Sequence, residues 1–394
     1  MRQERGRRPR LNFGAAAVVA AFVLAAAVPG GAAPVASVAG PAGAETPFGV
    51  LRGVACPTSS RCVAVGYGFD DVKVNIQPIV GLSNGLTWSI RRGPVPTSTK
   101  ADHGGRMYGA ACVAATRCFG VGWFNLGIRT RTLILAWNGA GWSVFSRPDP
   151  AGSSSSVLSG IACPTSTMCL AVGNAAYGDP APTRTLVTRW NGASWSVVPS
   201  PNASATSRDN ALNAISCRTA TFCVAVGAAS RKTTSRTLVE QWNGKAWSVV
   251  PSPNPTDYAV LTSISCATTT ACVAVGYQRS PYKGFIEQWN GSRWALAAAP
   301  VPTTGTSFLR GVACPTAKRC YAVGLHNATS TLMLQWDGKR WSTAPGSASD
   351  GVVLEAITCR SATSCQLVGA YVSTHGNPYV AQWDGVSPLA QPRS

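Results

Sequence analysis

Fourteen cysteines stand in seven pairs with one spacing, C-x5-C: Cys56/Cys62, Cys112/Cys118, Cys163/Cys169, Cys217/Cys223, Cys266/Cys272, Cys314/Cys320 and Cys359/Cys365. The first members follow one another at 56, 51, 54, 49, 48 and 45 residues. A period of that size is the mark of a repeat architecture, so the 394 residues are not divided by the usual domain length. An even count behind an export-like N-terminus reads as disulfides. The constant spacing makes a bridge within each pair the economical solution. C-x5-C is not zinc spacing, and three histidines cannot serve seven metal sites. Redox catalysis favours C-x-x-C.

Between the cysteines each repeat spells four strand-like pieces. In the fourth copy, Leu212 to Cys217 alternates apolar and polar residues. A short turn leads to Cys223-Val224-Ala225-Val226-Gly227. A polar loop precedes Thr237-Leu238-Val239-Glu240-Gln241-Trp242, and Asn243-Gly244 is a strong hairpin signal. Trp247-Ser248-Val249-Val250 completes the unit, and Pro251-Ser252-Pro253 ends it. Nothing in it has helical period or length. Trp-Asn-Gly-x-x-Trp recurs at Trp137–Trp142, Trp190–Trp195, Trp242–Trp247 and Trp289–Trp294, and becomes Trp-Asp-Gly-x-x-Trp at Trp336–Trp341. The end copies differ: Ser83-Asn84-Gly85-Leu86-Thr87-Trp88 lacks the first Trp, and Trp383-Asp384-Gly385 meets Pro388 where the second belongs.

Four-stranded antiparallel units at this period predict an all-β chain. The expected fold is a single seven-bladed β-propeller of four-stranded blades, one local disulfide per blade, over residues 34–390. The Trp residues are expected as core between blades. Pro388 and Pro392 leave the last copy without a credible fourth strand. Ala36-Ser37-Val38-Ala39, or residues shortly after, is expected to supply it and close the ring.

The turns resemble the Asp-box of sialidase-like propellers, which also joins third and fourth strands. The paired Cys with Ala-Val-Gly resembles secreted repeat proteins of actinobacteria. The resemblance spans about residues 50–385 and implies a propeller architecture, not an activity, because this scaffold hosts many functions.

Residues 1–33 read as a signal peptide and linker. Arg2, Arg5, Arg7, Arg8 and Arg10 precede an apolar run from Phe13 to Val28, with cleavage expected between about 27 and 39. The run is shorter than the roughly 20 residues of a spanning helix. Secretion follows as the expected localisation, with no membrane span after removal. Residues 1–27 hold five Arg and one Glu, so the remainder keeps +15 of the chain's net +19. That balance favours anionic partners.

No catalytic residue is expected. Asp70-Asp71 is the one adjacent acidic pair and suits a turn better than a two-carboxylate glycosidase. His103, His326 and His375 lie in Gly/Asn-rich loops with no G-x-S-x-G elbow. There is no phosphate loop or dinucleotide fingerprint.

In such a fold the loops between strands 2–3 and 4–1 share one face, and the turns between strands 1–2 and 3–4 share the other. Ligand-binding candidates on the long-loop face are Tyr67, Trp123, Phe124, Arg129, Arg131, Tyr177, Arg231, Lys232, Tyr277 and Tyr282. Aromatic and cationic groups on loops of a rigid scaffold are typical binding material. On the turn face Arg61, Arg117, Arg218, Lys245, Arg293, Lys318, Arg319, Lys339, Arg340 and Arg360 stand against Asp337 and Asp384 alone, a candidate polyanion surface. Acids precede several first strands: Glu45, Asp102, Asp209, Asp257 and Asp350. Of these, Asp102, Asp209, Asp257 and Asp350 are candidate oxygen ligands for a structural calcium at the channel mouth, against plain turn chemistry. No other cofactor is expected. The sequence thus points to a monomeric, secreted, non-enzymatic binding or scaffold propeller for a carbohydrate, an anionic surface polymer or another protein. The alternatives are a glycan-acting, sialidase-like enzyme and a purely structural envelope protein.

Overall fold

A computed structural model describes residues 37–39, 47–69, 76–85, 87–96, 104–178, 182–203, 208–347, 350–372 and 376–387. The signal-peptide reading, Glu45, Asp70-Asp71, Asp102, His103 and His375 lie outside them. Among the described residues every regular element is a strand, and no helix is long and apolar enough to cross a membrane.

The seven first strands are Gly49–Ala55, Gly105–Ala114, Ser155–Thr165, Asp209–Thr219, Ala259–Thr268, Ser307–Thr316 and Val352–Ser361. Each continues antiparallel into its own second and third strands. In the fourth repeat these are Phe222–Arg231 and Thr234–Trp242, and a fourth strand, Trp247–Val249, pairs with the third. Among the described residues the seventh repeat has only Ser364–Tyr371 and Pro378–Trp383 after its first strand.

Hydrogen bonding gathers the strands into six sheets of three to eight strands, not seven separate four-stranded ones. Repeats three and four form one eight-stranded sheet through a single parallel pairing, Thr183 with Asp209. The first repeat gains a fifth strand. Ser37–Ala39 runs parallel to its outer strand, Ser37 opposite Thr87 and Ala39 opposite Ser89. This segment was expected to complete the seventh repeat. It pairs instead with the open outer edge of the repeat that follows it in the chain, since an unpaired edge accepts whichever extended segment is within reach. Residues 40–46, the alternative for that role, lie outside the described residues. Among the described residues the seventh repeat packs on the first without strand exchange: Leu51, Val54, Ile79 and Trp88 share a core with Val368 and Val380.

All seven disulfides are local, Cys56–Cys62, Cys112–Cys118, Cys163–Cys169, Cys217–Cys223, Cys266–Cys272, Cys314–Cys320 and Cys359–Cys365, with Cα atoms 3.9–4.0 Å apart. They tie the first strand to the second at the short-turn end. The second cysteine of every pair is buried, and each belongs to one of the hydrophobic clusters. Cys118 and Cys169 are 0% exposed, and Cys272 and Cys320 are 2% exposed, so none of the four can meet a ligand. The cause is their register: each stands at the start of a second strand, opposite the closing Trp of the third. Cys118 faces Trp137, Cys169 faces Trp190, Cys272 faces Trp289 and Cys320 faces Trp336. These bridges are core, and their role is structural.

At the same end, Asn243 Oδ1 accepts the N–H groups of Lys245 and Ala246, each at 2.9 Å, and Gly244 takes φ 97°. The Trp pairs sit beneath these hairpins with ring centroids 5.8–6.0 Å apart, as core.

One irregularity recurs in all seven first strands. The pairing skips one residue after a buried Leu or Met: Leu51/Gly53, Met107/Gly109, Leu158/Gly160, Leu212/Ala214, Leu261/Ser263, Leu309/Gly311 and Leu354/Ala356. The second strand places glycine opposite that Leu or Met each time, as Leu261 opposite Gly276. A Cβ there would overlap the carbonyl oxygen preceding the Leu, Val260 O in this copy. That is the physical content of the repeated Ala-Val-Gly. The small residue after the bulge lets neighbouring first strands approach. A Cβ on Gly160 would stand 2.9 Å from Ala214 Cα, and one on Gly311 would stand 3.0 Å from Ala356 Cα. Ser216, Ser263 and Ser265 accept hydrogen bonds from Cys266, Val312 and Cys314 N–H of the next repeat.

Candidate functional site

A β-bulge re-aims the side chain it carries. Here the bulge residues are Arg52, Tyr108, Ser159, Asn213, Thr262, Arg310 and Glu355, one from each repeat. All seven line a single cavity of about 510 Å³. Tyr258, Tyr277, Ser230 and Asp209 also line it, from the ends of second strands and the starts of first strands, so the cavity opens on the long-loop side.

The ring is chemically uneven. Arg52 Nη1 pairs with Glu355 Oε2 at 2.8 Å, bridging the first and seventh repeats. Asn213 Nδ2 donates to Leu261 O at 2.8 Å. The Thr262 hydroxyl donates to Leu309 O at 2.8 Å. These bonds spend polar groups on the neighbouring repeat's backbone and hold the inner strands together. Asp209 Oδ1 accepts from the Thr183 hydroxyl at 3.3 Å. Arg310 differs. Its Nε is buried without a partner, and its guanidinium carbon is 5.6 Å from the Phe308 ring centre.

Two arginine–aromatic clusters flank the cavity on separate arcs of its rim. In repeats one and two, the Arg106 guanidinium lies 4.5 Å from the Tyr67 ring and 5.8 Å from Trp123, whose Nε1 donates to Tyr108 Oη at 3.1 Å. In repeats five and six, Arg279 lies 3.8 Å from the Tyr258 ring and 5.7 Å from Tyr282. Phe308 meets Tyr277 edge-on at 5.1 Å and Tyr282 at 5.5 Å. Burial pushes the Tyr277 hydroxyl above its ordinary pKa, and nearby Tyr258 adds to this. Arg310 and Arg279 pull the other way without reversing the shift, so the group stays a protonated donor.

The sequence candidates divide sharply. Tyr67, Trp123, Tyr277 and Tyr282 come together in these two clusters. Phe124 does not belong with them: it is 1% exposed, within the core formed with Val65, Met107 and Leu133. Its side chain turns into the contact between the first and second repeats, while Trp123 before it and Asn125 after it stay half-buried. Arg131 donates to Ser153 O at 3.0 Å and braces a loop. Lys283 Nζ likewise donates to the carbonyls of Pro302, Thr303, Thr304 and Gly305. Arg129, Arg231 and Lys232 are exposed at hairpin tips. Tyr177 stays on the surface beside Arg184, 5.6 Å away.

The acidic positions separate. Asp209 reaches the cavity rim, Asp257 pairs with Arg236 Nη2 at 3.4 Å, and Asp350 accepts from the Ser330 hydroxyl. Among the described residues no three His, Cys, Asp or Glu side chains come within reach of one ion.

Sequence reasoning missed the bulge ring. Its signal was present: Leu-Arg-Gly, Met-Tyr-Gly, Leu-Ser-Gly, Leu-Asn-Ala, Leu-Thr-Ser, Leu-Arg-Gly and Leu-Glu-Ala precede the successive cysteines. The middle residue varies freely between two constrained neighbours.

The opposite end carries the short turns. Arg117, Arg218, Lys245, Arg293, Lys318, Lys339, Arg340 and Arg360 are exposed there, and Arg61 and Arg319 are half-buried. Both turn types share one surface, because Thr221 of the Cys turn packs on Gly244 of the hairpin. The carboxylates of Asp337 and Asp384 are engaged by their own turns. Asp337 accepts from Lys339 and Arg340 N–H, and Asp384 from Val386 and Ser387 N–H.

No protein-family profile and no curated protein matches this chain. Its shape does match solved structures. A polysaccharide lyase, an ulvan lyase bound to -[GlcA(1-4)Rha3S]-, superposes with TM-score 0.57 at 8% identity, over 87% of this chain and 95% of the other. YCF48 bound to D1 peptide gives 0.51 at 12%, over 86% and 94%. The β-propeller domain of the trilobed protease from Pyrococcus furiosus, described as having an open velcro topology, gives 0.50 at 7%, over 87% and 97%. At such identities the likeness shows the fold, a β-propeller.

Proposed function

We propose that this chain is a secreted, seven-bladed, non-enzymatic binding propeller, and that a carbohydrate occupies the cavity ringed by the seven bulge residues. The carrying observation is the pair of arginine–aromatic clusters on its rim. Sugar rings pack on aromatic faces, while arginines supply oriented donors at low entropic cost. A cavity of this size falls in the range that buries a small ligand. Seven Cys-stapled repeats, the last packed on the first, support the blade number. Seven disulfides support an oxidising compartment. Both carboxylates lining the cavity are engaged, Glu355 by Arg52 and Asp209 by Thr183, which favours binding over two-carboxylate hydrolysis. The ulvan lyase lends support only in that it is bound to a glycan, -[GlcA(1-4)Rha3S]-.

The test is a glycan array on the oxidised protein, followed by calorimetry on any hit. Binding should be lost when Tyr108→Ala and Tyr258→Ala are combined. An array with no hit, or hits indifferent to both changes, refutes the reading. Turnover of a bound glycan would favour the enzyme instead.

A second reading concerns the short-turn end. Its exposed cations, left without free carboxylates on the same surface among the described residues, suit an anionic surface polymer bound through its charge.

A further inference from the structure

Resting on the proposed carbohydrate-binding cavity, we infer that it recognises an acidic sugar, whose carboxylate or sulfate ester sits on the Arg310 guanidinium against the Tyr277–Phe308 wall. Only two of the seven bulge positions are cationic. Glu355 lies between them in ring order and commits to Arg52 at 2.8 Å. Arg310 is left with neither ion-pair nor hydrogen-bond partner among the described residues, and its Nε is buried. A partly desolvated guanidinium with a free edge is an expensive thing to keep unless an anion completes it, and its fork matches a carboxylate or sulfate oxygen pair.

The neighbours sharpen the fit. Tyr277 stands in the same wall, edge-on to Phe308 at 5.1 Å, with its hydroxyl held protonated and able to donate to the same anion. Thr262 has spent its proton on Leu309 O, so it does not compete for the anion. Asn213 donates an amide hydrogen to Leu261 O yet keeps its own carbonyl oxygen as an acceptor for a sugar hydroxyl. A neutral sugar would satisfy Asn213 and leave Arg310 unpaired. An acidic one satisfies both.

The experiment is calorimetry with three probes: a glucuronate tetrasaccharide, the same tetrasaccharide carboxyl-reduced, and a sulfated neutral tetrasaccharide. The variants are Arg310→Gln, Arg310→Lys and, as a control on the outer strand of the first repeat, Arg91→Ser. Wild type should bind one of the acidic probes about tenfold or more tighter than the reduced one, as a charge-assisted pair requires. The better of the two assigns carboxylate or sulfate. Arg310→Gln should erase that preference, Arg310→Lys should retain part of it, and Arg91→Ser should leave it intact. Equal affinity for acidic and reduced probes in wild type overturns this inference while leaving the carbohydrate reading standing. Loss of the preference in Arg91→Ser overturns it too, by showing general charge attraction rather than a site at Arg310. Binding of no probe at millimolar concentration overturns both readings. Should Arg310→Gln fail to fold, the wild-type comparison and Arg310→Lys decide alone.

Discussion

Replacing Glu240 by Gln should flatten the pH dependence of stability, because this carboxyl is buried where a charge has no partner. Glu240 is fully buried on the third strand of the fourth repeat. Its Oε2 accepts from the Ser200 hydroxyl of the preceding repeat at 2.6 Å, and its Oε1 has no partner. The fifth repeat copies the device: Ser252 donates to Glu287 at 2.6 Å across the next interface. The same register position holds Leu334 in the sixth repeat, so the surroundings are apolar. Burial raises the Glu240 pKa from 4.5 to about 8, with the Ser200 bond opposing, and raises Glu287 to about 7. The folded pKa lies above the unfolded one, so the native state holds the proton longer. The stabilisation is complete below pH 4.5 and is lost as pH climbs through the folded value. One unit is about 1.4 kcal/mol, so between pH 4 and pH 7 each carboxyl removes about 3 kcal/mol. For a chain of this length that is roughly 4 °C in Tm. Glutamine keeps an oxygen for Ser200 and cannot ionise. Calorimetric melts of wild type and Glu240→Gln at pH 4.5, 6 and 7.5 should diverge, with wild type losing about 4 °C more over the range. Parallel Tm curves for the two proteins would refute the desolvation argument.

Other outcomes follow from the same geometry. Gly276→Ala should destabilise by about 1–3 kcal/mol in denaturant melts, since its Cβ would enter the space of Val260 O at the bulge. Replacing both Cys217 and Cys223 by Ser should cost about 2 kcal/mol, the chain-entropy value for so short a loop, read from the same melts against wild type. Removing the strand Ser37–Ala39 should lower Tm by less than Leu51→Ala. The strand lies on an outer edge, whereas Leu51 belongs to the core that joins the first repeat to the seventh. Any polyanion held at the short-turn end should dissociate with rising salt. The slope of log affinity against log salt should shrink by about one for each of Lys245, Arg293 and Lys339 changed to Ser, measured by fluorescence titration with polyphosphate.

Much of the fold was legible in the sequence. The Cys spacing determined the period and the local bridges, because two residues six apart across a tight turn face each other whatever surrounds them. Asn-Gly and Asp-Gly determined the hairpins, since their geometry is set by a side-chain oxygen and a positive φ within four residues. Even the buried acids left a trace. Val-Val-Pro-Ser-Pro-Asn ends repeats three and four, and Glu appears in the third strand of the repeats that follow, at 240 and 287. What the sequence left open depends on which repeat meets which. The destination of Ser37–Ala39 turned on a competition between sheet edges, and Phe124 on the face its strand turned inward. The cavity required seven first strands to converge, so that residues about fifty apart in the chain became neighbours around one space. The two bulge arginines occupy identical Leu-Arg-Gly-Val-Ala-Cys segments, yet Arg52 is neutralised by Glu355 and Arg310 is not. Local sequence is the same for both, and only tertiary packing, which turns the one carboxylate of the bulge ring toward Arg52, decides which of them is left with its charge.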